Sequence, residues 1–160
     1  AGYPNTGKST LLNRLTGSKA KVASYPFTTK SIQLGYFTLR YRDVQAIDTP
    51  GLLDRAQLDY SPIEKKALAA LTHLATVIVF VIDPTSSAGY TLEKQYALYE
   101  QIKKRFSHLP IICAITKCDI AQGNEIANAK LLFGEDCILE GHNLPTPLKD
   151  TIGKTLGILS

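Results

Sequence analysis

The spacing of apolar positions changes period several times along the 160-residue chain, and each change marks an element. Leu11, Leu12 and Leu15 recur at helical spacing behind Lys8, and Gly17 supplies a stop, so a helix is expected over 8–16. Pro26 and mixed polarity make 18–29 read as a loop. Residues 32–41 alternate, with Ile32, Leu34, Tyr36 (or Phe37) and Leu39 apolar, which predicts an exposed or edge strand. Arg42-Asp43 reads as a tight turn into a short strand over 44–47, closing a hairpin. Residues 51–61 are polar and irregular. Pro62 opens a helix to about Leu74, whose inward stripe is Ile63, Ala67, Leu68, Ala70 and Leu71. The six apolar residues 77–82 have the pattern of a central parallel strand, buried on both faces. Thr91 caps a helix to about Phe106, and 111–115 is a second buried strand behind Pro110. A modest helix over 124–132, a short strand at 137–139 and a last helix over 147–156, stopped by Gly157, complete the pattern. Strands alternating with helices of this length predict a mostly parallel sheet covered on both faces, with one antiparallel hairpin at its edge.

Three short segments carry the chemistry. Gly2-Tyr3-Pro4-Asn5-Thr6-Gly7-Lys8-Ser9 fits G-x-x-x-x-G-K-[ST], a phosphate-binding loop leading into a helix N-terminus. Its glycines allow a tight turn and close approach of phosphate. The backbone N–H groups of Asn5, Thr6, Gly7, Lys8 and Ser9 are expected to cradle phosphate, with Thr10 on the same helical turn. Lys8 is expected to reach the β and γ phosphates, and Ser9 to offer its hydroxyl to Mg²⁺. Asp48-Thr49-Pro50-Gly51 follows a strand, where Asp48 is suited to hold Mg²⁺ through water and the Gly51 N–H to sense the γ phosphate. Thr116-Lys117-Cys118-Asp119 follows the second buried strand. The Asp119 carboxylate is suited to accept from guanine N1–H and the exocyclic amine, a pairing adenine does not offer, and the Lys117 stem to lie over the base. Either Thr28 or Thr29, in the loop before the alternating strand, is expected to contact Mg²⁺ when the γ phosphate is present. These readings predict an α/β, three-layer P-loop NTPase of the G-domain type that binds GTP or GDP with Mg²⁺ and hydrolyses GTP, its loops at 18–30 and 51–62 changing order with the γ phosphate. An ATPase is disfavoured by Asp119.

Composition adds limits. A hydrophobic fraction of 44% suits one domain with a real core. The net charge of +4 is mild and compatible with an RNA or ribosome partner. Lys19, Lys21, Lys30, Arg40 and Arg42 gather around the first loop and hairpin, a patch suited to RNA phosphates or simply to solvent. Tyr90, Tyr96 and Tyr99 are expected to pack around a helix. The three cysteines show no ligand spacing, which implies a reducing compartment, and Cys113 reads as a buried thiol. The longest uncharged apolar stretch, about 74–82, is far short of the ~20 residues that span a bilayer, so no membrane partner is expected. A phosphate loop normally follows a buried strand, yet only Ala1 precedes it, and the chain has no methionine. Residues 1–160 are therefore expected to be one G domain taken from a longer polypeptide, without its first strand and flanking domains.

With these motifs in place, the chain resembles the translation-factor class of small GTPases and, more narrowly, the Obg-related nucleolar GTP-binding proteins, the Nog family of eukaryotes and archaea. The likeness is carried by 2–9, by Tyr25-Pro26-Phe27-Thr28-Thr29-Lys30, by 47–55 and by 83–93, and it weakens after Asp119. It implies a monomeric G domain acting in large ribosomal subunit assembly on a pre-ribosomal particle or rRNA. It also implies a nucleolar location in a eukaryote and a cytoplasmic one in an archaeon. The second threonine, Thr29, is the metal ligand the resemblance favours. Catalysis by positioning and charge neutralisation would then rest on Lys8, Ser9, Thr29 and the Gly51 backbone. Leu52 stands where many small GTPases carry a water-orienting Gln; some relatives with an apolar residue there use K⁺, held partly by an Asn at the place of Asn5. Slow turnover that rises with K⁺ or a partner is the implied behaviour. Thr116 replaces the usual Asn of the guanine motif and is expected to keep one hydrogen bond to the phosphate loop. The usual Ser-Ala pair is not recognisable; Glu140-Gly141-His142 falls in its place, with His142 a loop residue. Two alternatives stand beside this reading: a GTP-dependent binding module with negligible turnover, and a related G domain serving tRNA modification or membrane-linked signalling.

Overall fold

The computed structural model describes residues 1–17, 21–24, 31–54, 60–85, 87–141 and 147–159. Helix α1 (Lys8–Thr16) follows the phosphate loop and ends on Gly17, whose left-handed backbone (φ 65°) lets its N–H reach Asn13 O. Strand β1 (Lys21–Ser24) pairs antiparallel with β2 (Ser31–Leu39), and β2 with β3 (Arg42–Asp48). Two expectations are corrected here. The stretch read wholly as a loop contains β1, whose four residues are too few for a period. As a result β2 is the middle strand of its sheet, not an edge. The reversal also falls at Arg40-Tyr41 rather than Arg42-Asp43: Leu39 pairs with Arg42, and Arg40 takes a positive φ of 53° at the first loop position.

Helix α2 (Pro62–Leu74) starts on a capping box. The Glu64 N–H donates to Ser61 Oγ at 3.2 Å and the Ser61 N–H to Glu64 Oε2 at 3.0 Å. Leu68 and Leu71 face inward as expected, but Ala70 is exposed. The second sheet is parallel, with β5 (Ile111–Ile115) between β4 (Ile78–Ile82) and β6 (Ile138–Leu139). Helices α3 (Leu92–Arg105), α4 (Glu125–Phe133) and α5 (Leu148–Thr155) follow these strands. Phe80 and Ile82 pack with Leu98, Ile102 and Phe133 on one face of β4, and Val81 with Leu11, Leu15 and Ile152 on the other. This two-sided burial is why 77–82 is apolar throughout, and it places the sheet between two helical layers. Tyr96 and Tyr99 join the first face, against Phe133 and Phe80. Cys113 is only half-buried, and β6 pairs with Ala114 and Ile115 alone.

The α/β class and the antiparallel hairpin stand, but the sheet comes in two halves. At the junction the Ala1 nitrogen donates to Val79 O and the Val81 N–H to Ala1 O, both at 2.8 Å, which is one rung of a parallel ladder on β4. Beyond Ala1, β3 and β4 flank a cleft of about 590 Å³, whose walls include Leu11, Leu15, Val44, Ala46, Val79 and Val81. Among the described residues no strand pairs with the free edge of β3.

Candidate nucleotide-binding site

The phosphate loop is held in a shape that its glycines permit. Gly2 has φ 132°, and a Cβ there would lie 2.5 Å from Val81 O. Gly7 has φ 96°, and Asn5, exposed at the crest, has φ 63°. Inside the loop the buried Thr6 hydroxyl donates to Tyr3 O at 2.8 Å. Lys8 curls back, and its ammonium donates to Gly2 O at 2.8 Å and Tyr3 O at 2.7 Å. Burial lowers the Lys8 pKa from its ordinary value, while Asp48 and Asp54 act in the other direction. The loop thus aims the first turn of α1, with Ser9 and the exposed Thr10, at the space above the strand ends.

The C-terminal end of β3 brings Asp48 to the same place. Ser9 Oγ donates to Asp48 Oδ2 at 2.8 Å. A hydroxyl and a carboxylate in contact are the hard oxygen donors that suit Mg²⁺, an ion that keeps several waters and takes further oxygens from a nucleotide. The residues present therefore fit the metal. In the next turn the Gly51 N–H donates to Asp54 Oδ2 at 2.6 Å. Leu52 is only 2% exposed and packs with Leu71 and Ile47. Tyr60 OH donates to Leu52 O at 2.5 Å, and the Gly2 N–H to Leu53 O at 3.0 Å, so this turn is tied to the phosphate loop.

The third motif meets the first. Thr116 Oγ1 lies 2.6 Å from Thr6 O and 3.0 Å from Ile82 O, so the expected hydrogen bond to the phosphate loop is present. Lys117 takes a positive φ of 55°, and its ammonium lies 2.6 Å from Asp83 Oδ2. Asp119 is exposed and makes no hydrogen bond with the described residues. The loop is supported from β6: the Cys118 N–H donates to Glu140 O at 3.3 Å and the Glu140 N–H to Ile115 O at 2.7 Å. Thr28 and Thr29 lie outside the described residues, as do Lys19, Lys30 and His142.

Sequence reasoning missed several supports. Glu140 is buried; its Oε1 accepts from the Leu148 N–H at 3.3 Å, and its Oε2 pairs with Arg14 at 3.2 Å as an ion pair rather than an aligned hydrogen bond. Burial pushes its carboxyl above the ordinary range, opposed by the Leu148 N–H and by Arg14. The rings of Tyr3 and Tyr90 stack at 4.0 Å, which gives Tyr90 a partner in the phosphate loop as well. No spacing rule reaches contacts so distant in sequence. The S-x-x-E of Ser61 and Glu64, by contrast, was there to be read.

Asp48 beside Ser9, and the 116–119 loop hydrogen-bonded to the turn that carries Lys8, form the arrangement of a guanine-nucleotide-binding G domain. Residues 1–117 match the model of the 50S ribosome-binding GTPase family, and the chain belongs to that family. It is 47% identical over 126 residues to an uncharacterised protein of Methanocaldococcus jannaschii, covering 79% of this chain and 35% of that protein. It is 36% identical over 154 residues to nucleolar GTP-binding protein 1 of Drosophila melanogaster, covering 96% of this chain and 24% of that protein. Among solved structures, it resembles a nucleolar GTP-binding protein 1 from Plasmodium falciparum (TM-score 0.75, 27% identity, 99% of this chain and 82% of that one). It also resembles the G domain of the FeoB iron transporter of Thermotoga maritima (TM-score 0.72, 26% identity, 99% and 94%). The resemblance to the nucleolar GTP-binding branch thus holds, and the chain is a GTP-binding protein of GTPase type. It spans about a third or less of the length of the curated relatives named. Among the described residues no helix is long and apolar enough to cross a membrane.

Proposed function

We propose that this chain is the GTP-hydrolysing switch of a protein that acts in large ribosomal subunit assembly. The observation that carries the nucleotide part is the bond from Thr116 to Thr6, which joins a base-reading loop to a phosphate-holding one. Asp119 accepts from guanine N1–H and the exocyclic amine, and the Lys117 stem covers the ring. Lys8 and the backbone N–H groups from Asn5 to Ser9 neutralise the phosphates, while Ser9, Asp48 and Thr29 would hold Mg²⁺. When bound, Mg²⁺ supplies charge neutralisation on the β and γ oxygens. Water attacks the γ phosphorus, the bond to the β–γ bridging oxygen breaks, and GDP and phosphate leave. The catalytic contribution is positioning and electrostatic, through Lys8 and the Gly51 N–H.

Leu52 supports slow intrinsic turnover: its side chain lies in the core and has no group to orient water. Acceleration then comes from K⁺ at Asn5 or from a partner. The ribosomal part is supported by the family description and the relatives' names, together with the exposed Lys21, Arg40, Tyr41 and Arg42. A nucleolar location is supported by the same names for a eukaryotic source. The test is competition of GTP and ATP for the complete protein, followed by turnover in KCl and NaCl at equal ionic strength. GTP preference with faster turnover in KCl is expected; equal rates remove the potassium part. The same buried Leu52 favours a second reading, a binding module with negligible turnover. Single-turnover hydrolysis on purified pre-ribosomal particles separates the two.

A further inference from the structure

The turn after β4 is built around a carboxylate that the chemistry above does not use. Asp83 is fully buried. Its Oδ1 accepts from the Thr85 N–H at 2.9 Å and the Thr85 hydroxyl at 2.7 Å. Its Oδ2 accepts from Ser87 Oγ at 3.0 Å, the Ala88 N–H at 3.1 Å and the Lys117 ammonium at 2.6 Å. Lys117 also lies 2.7 Å from Ser87 Oγ. The Asp83 backbone is held as firmly. Its N–H donates to Gln95 Oε1, and its carbonyl accepts from Gln95 Nε2, both at 2.9 Å. That buried amide also donates to Tyr90 O at 3.1 Å, and Tyr90 stacks on Tyr3 of the phosphate loop.

So many partners leave Asp83 no freedom to follow Lys117; the lysine has to come to it. Burial alone would raise the Asp83 pKa, but hydrogen bonds from Lys117 and Thr85 reverse this and leave it below the ordinary range. The carboxylate therefore stays charged at neutral pH. A buried ion pair is a poor source of stability, because desolvation offsets much of the attraction. Its geometric consequence is clearer. Pinning the ammonium fixes the course of the Lys117 stem and helps hold the positive φ of 55°, two residues before Asp119.

We propose that Asp83 is a positioning residue for guanine-nucleotide binding: by clamping Lys117 through its ammonium, it sets the Lys117 stem and Asp119 in the geometry that receives the purine ring. This rests on Lys117 and Asp119 being the base-reading pair. The turn that carries Asp83 and Tyr90 is then a brace between the two nucleotide-binding loops, fixed to one through Lys117 and to the other through the Tyr3 stack.

The test measures release of fluorescently labelled GDP and of labelled IDP, which lacks the exocyclic amine, from the complete protein. The variants are Asp83→Asn, Lys117→Met, the double variant and Ser87→Ala, and the melting temperature of each is followed alongside. Asp83→Asn is expected to speed GDP release about tenfold, or roughly 1.4 kcal/mol, and to narrow the difference between GDP and IDP. In the Lys117→Met background it adds less than about twofold, since neighbours acting as one unit are not additive. A merely structural Asp83 would lower the melting temperature and leave base discrimination and the double-variant cycle unchanged; that result overturns the inference. If Asp83→Asn does not fold, Ser87→Ala decides: faster GDP release with reduced discrimination supports the clamp, and wild-type values refute it. A wild-type protein that takes up no guanine nucleotide would remove the site reading itself, and the inference with it.

Discussion

Ser9 Oγ and Asp48 Oδ2 lie 2.8 Å apart, although they are 39 positions apart in the chain. The serine proton points at the carboxylate, so its remaining lone pairs are free to face a cation. Ser9→Ala removes this donor without disturbing the backbone of α1. Affinity for GDP in the presence of Mg²⁺ is expected to fall by on the order of tenfold to a hundredfold, the effect of about 1–3 kcal/mol at such a group. Affinity with the metal chelated should change little. A loss of equal size in both conditions would mean that the hydroxyl serves the fold, not the metal.

Leu52→Gln tests whether a water-orienting glutamine at this position is enough to raise GTP hydrolysis. The Leu52 side chain packs with Leu71 and Ile47 beneath the Gly51 turn. A Gln there must either bury its amide, at about 1–3 kcal/mol on protein scales, or drag the turn outward. The expected result is a lower urea midpoint and no gain in GTP turnover. A faster enzyme of unchanged stability would show that the turn opens easily and that a water-orienting group at 52 is sufficient.

The elements were legible in the sequence where one physical signal dominated. The all-apolar 77–82 and 111–115 runs, each too short for a helix and next to turn signals, read as largely buried strands, and the phosphate loop is defined by local backbone needs at Gly2, Gly7 and Lys8. What escaped were features set by distant partners. β1 exists because β2 offers it an edge, not because Lys21–Ser24 has a period. Arg40, not glycine, occupies the strained position of the hairpin, so the turn carried no composition signal and was placed two residues late. The Asp83–Lys117 and Arg14–Glu140 pairs join residues 34 and 126 positions apart, counted from their numbers. Thr116 was readable because its motif named its partner in advance.

Nucleotide binding beside Lys8 is expected to be linked to protons. Burial lowers its pKa in the fold, so the protonated form is disfavoured there relative to the unfolded chain. Its contribution to stability accordingly improves as pH rises through the folded value toward the unfolded one, about 10.4. Phosphate beside the ammonium restores its charge, so binding on the alkaline side should take up a proton. Calorimetry of GDP binding in two buffers of different ionisation heat should show enthalpies that diverge as pH rises from neutrality toward that value. Protonation of the phosphates would give the opposite trend. Enthalpies independent of buffer throughout the alkaline range would remove Lys8 from the linkage.

The cleft between β3 and β4 makes the last prediction. Ala1 already forms one rung of a parallel ladder with β4, through Val79 O and the Val81 N–H. The walls beyond it carry Leu11, Leu15, Val44, Ala46, Val79 and Val81 beside some polar residues, and β3 has an unpaired edge among the described residues. Residues joined ahead of Ala1 are expected to continue this ladder and fill the cleft as a strand between β3 and β4. Each large aliphatic side chain seated there would add about 1.5–3 kcal/mol. A chain extended upstream by roughly six residues, the usual strand length, should therefore unfold at a higher urea midpoint than residues 1–160, with a steeper slope from the extra surface buried. Amide protons of β3 on the cleft side should become protected from exchange in the extended chain. An unchanged midpoint and slope, with the β3 amides still exchanging freely, would show that the upstream residues lie elsewhere.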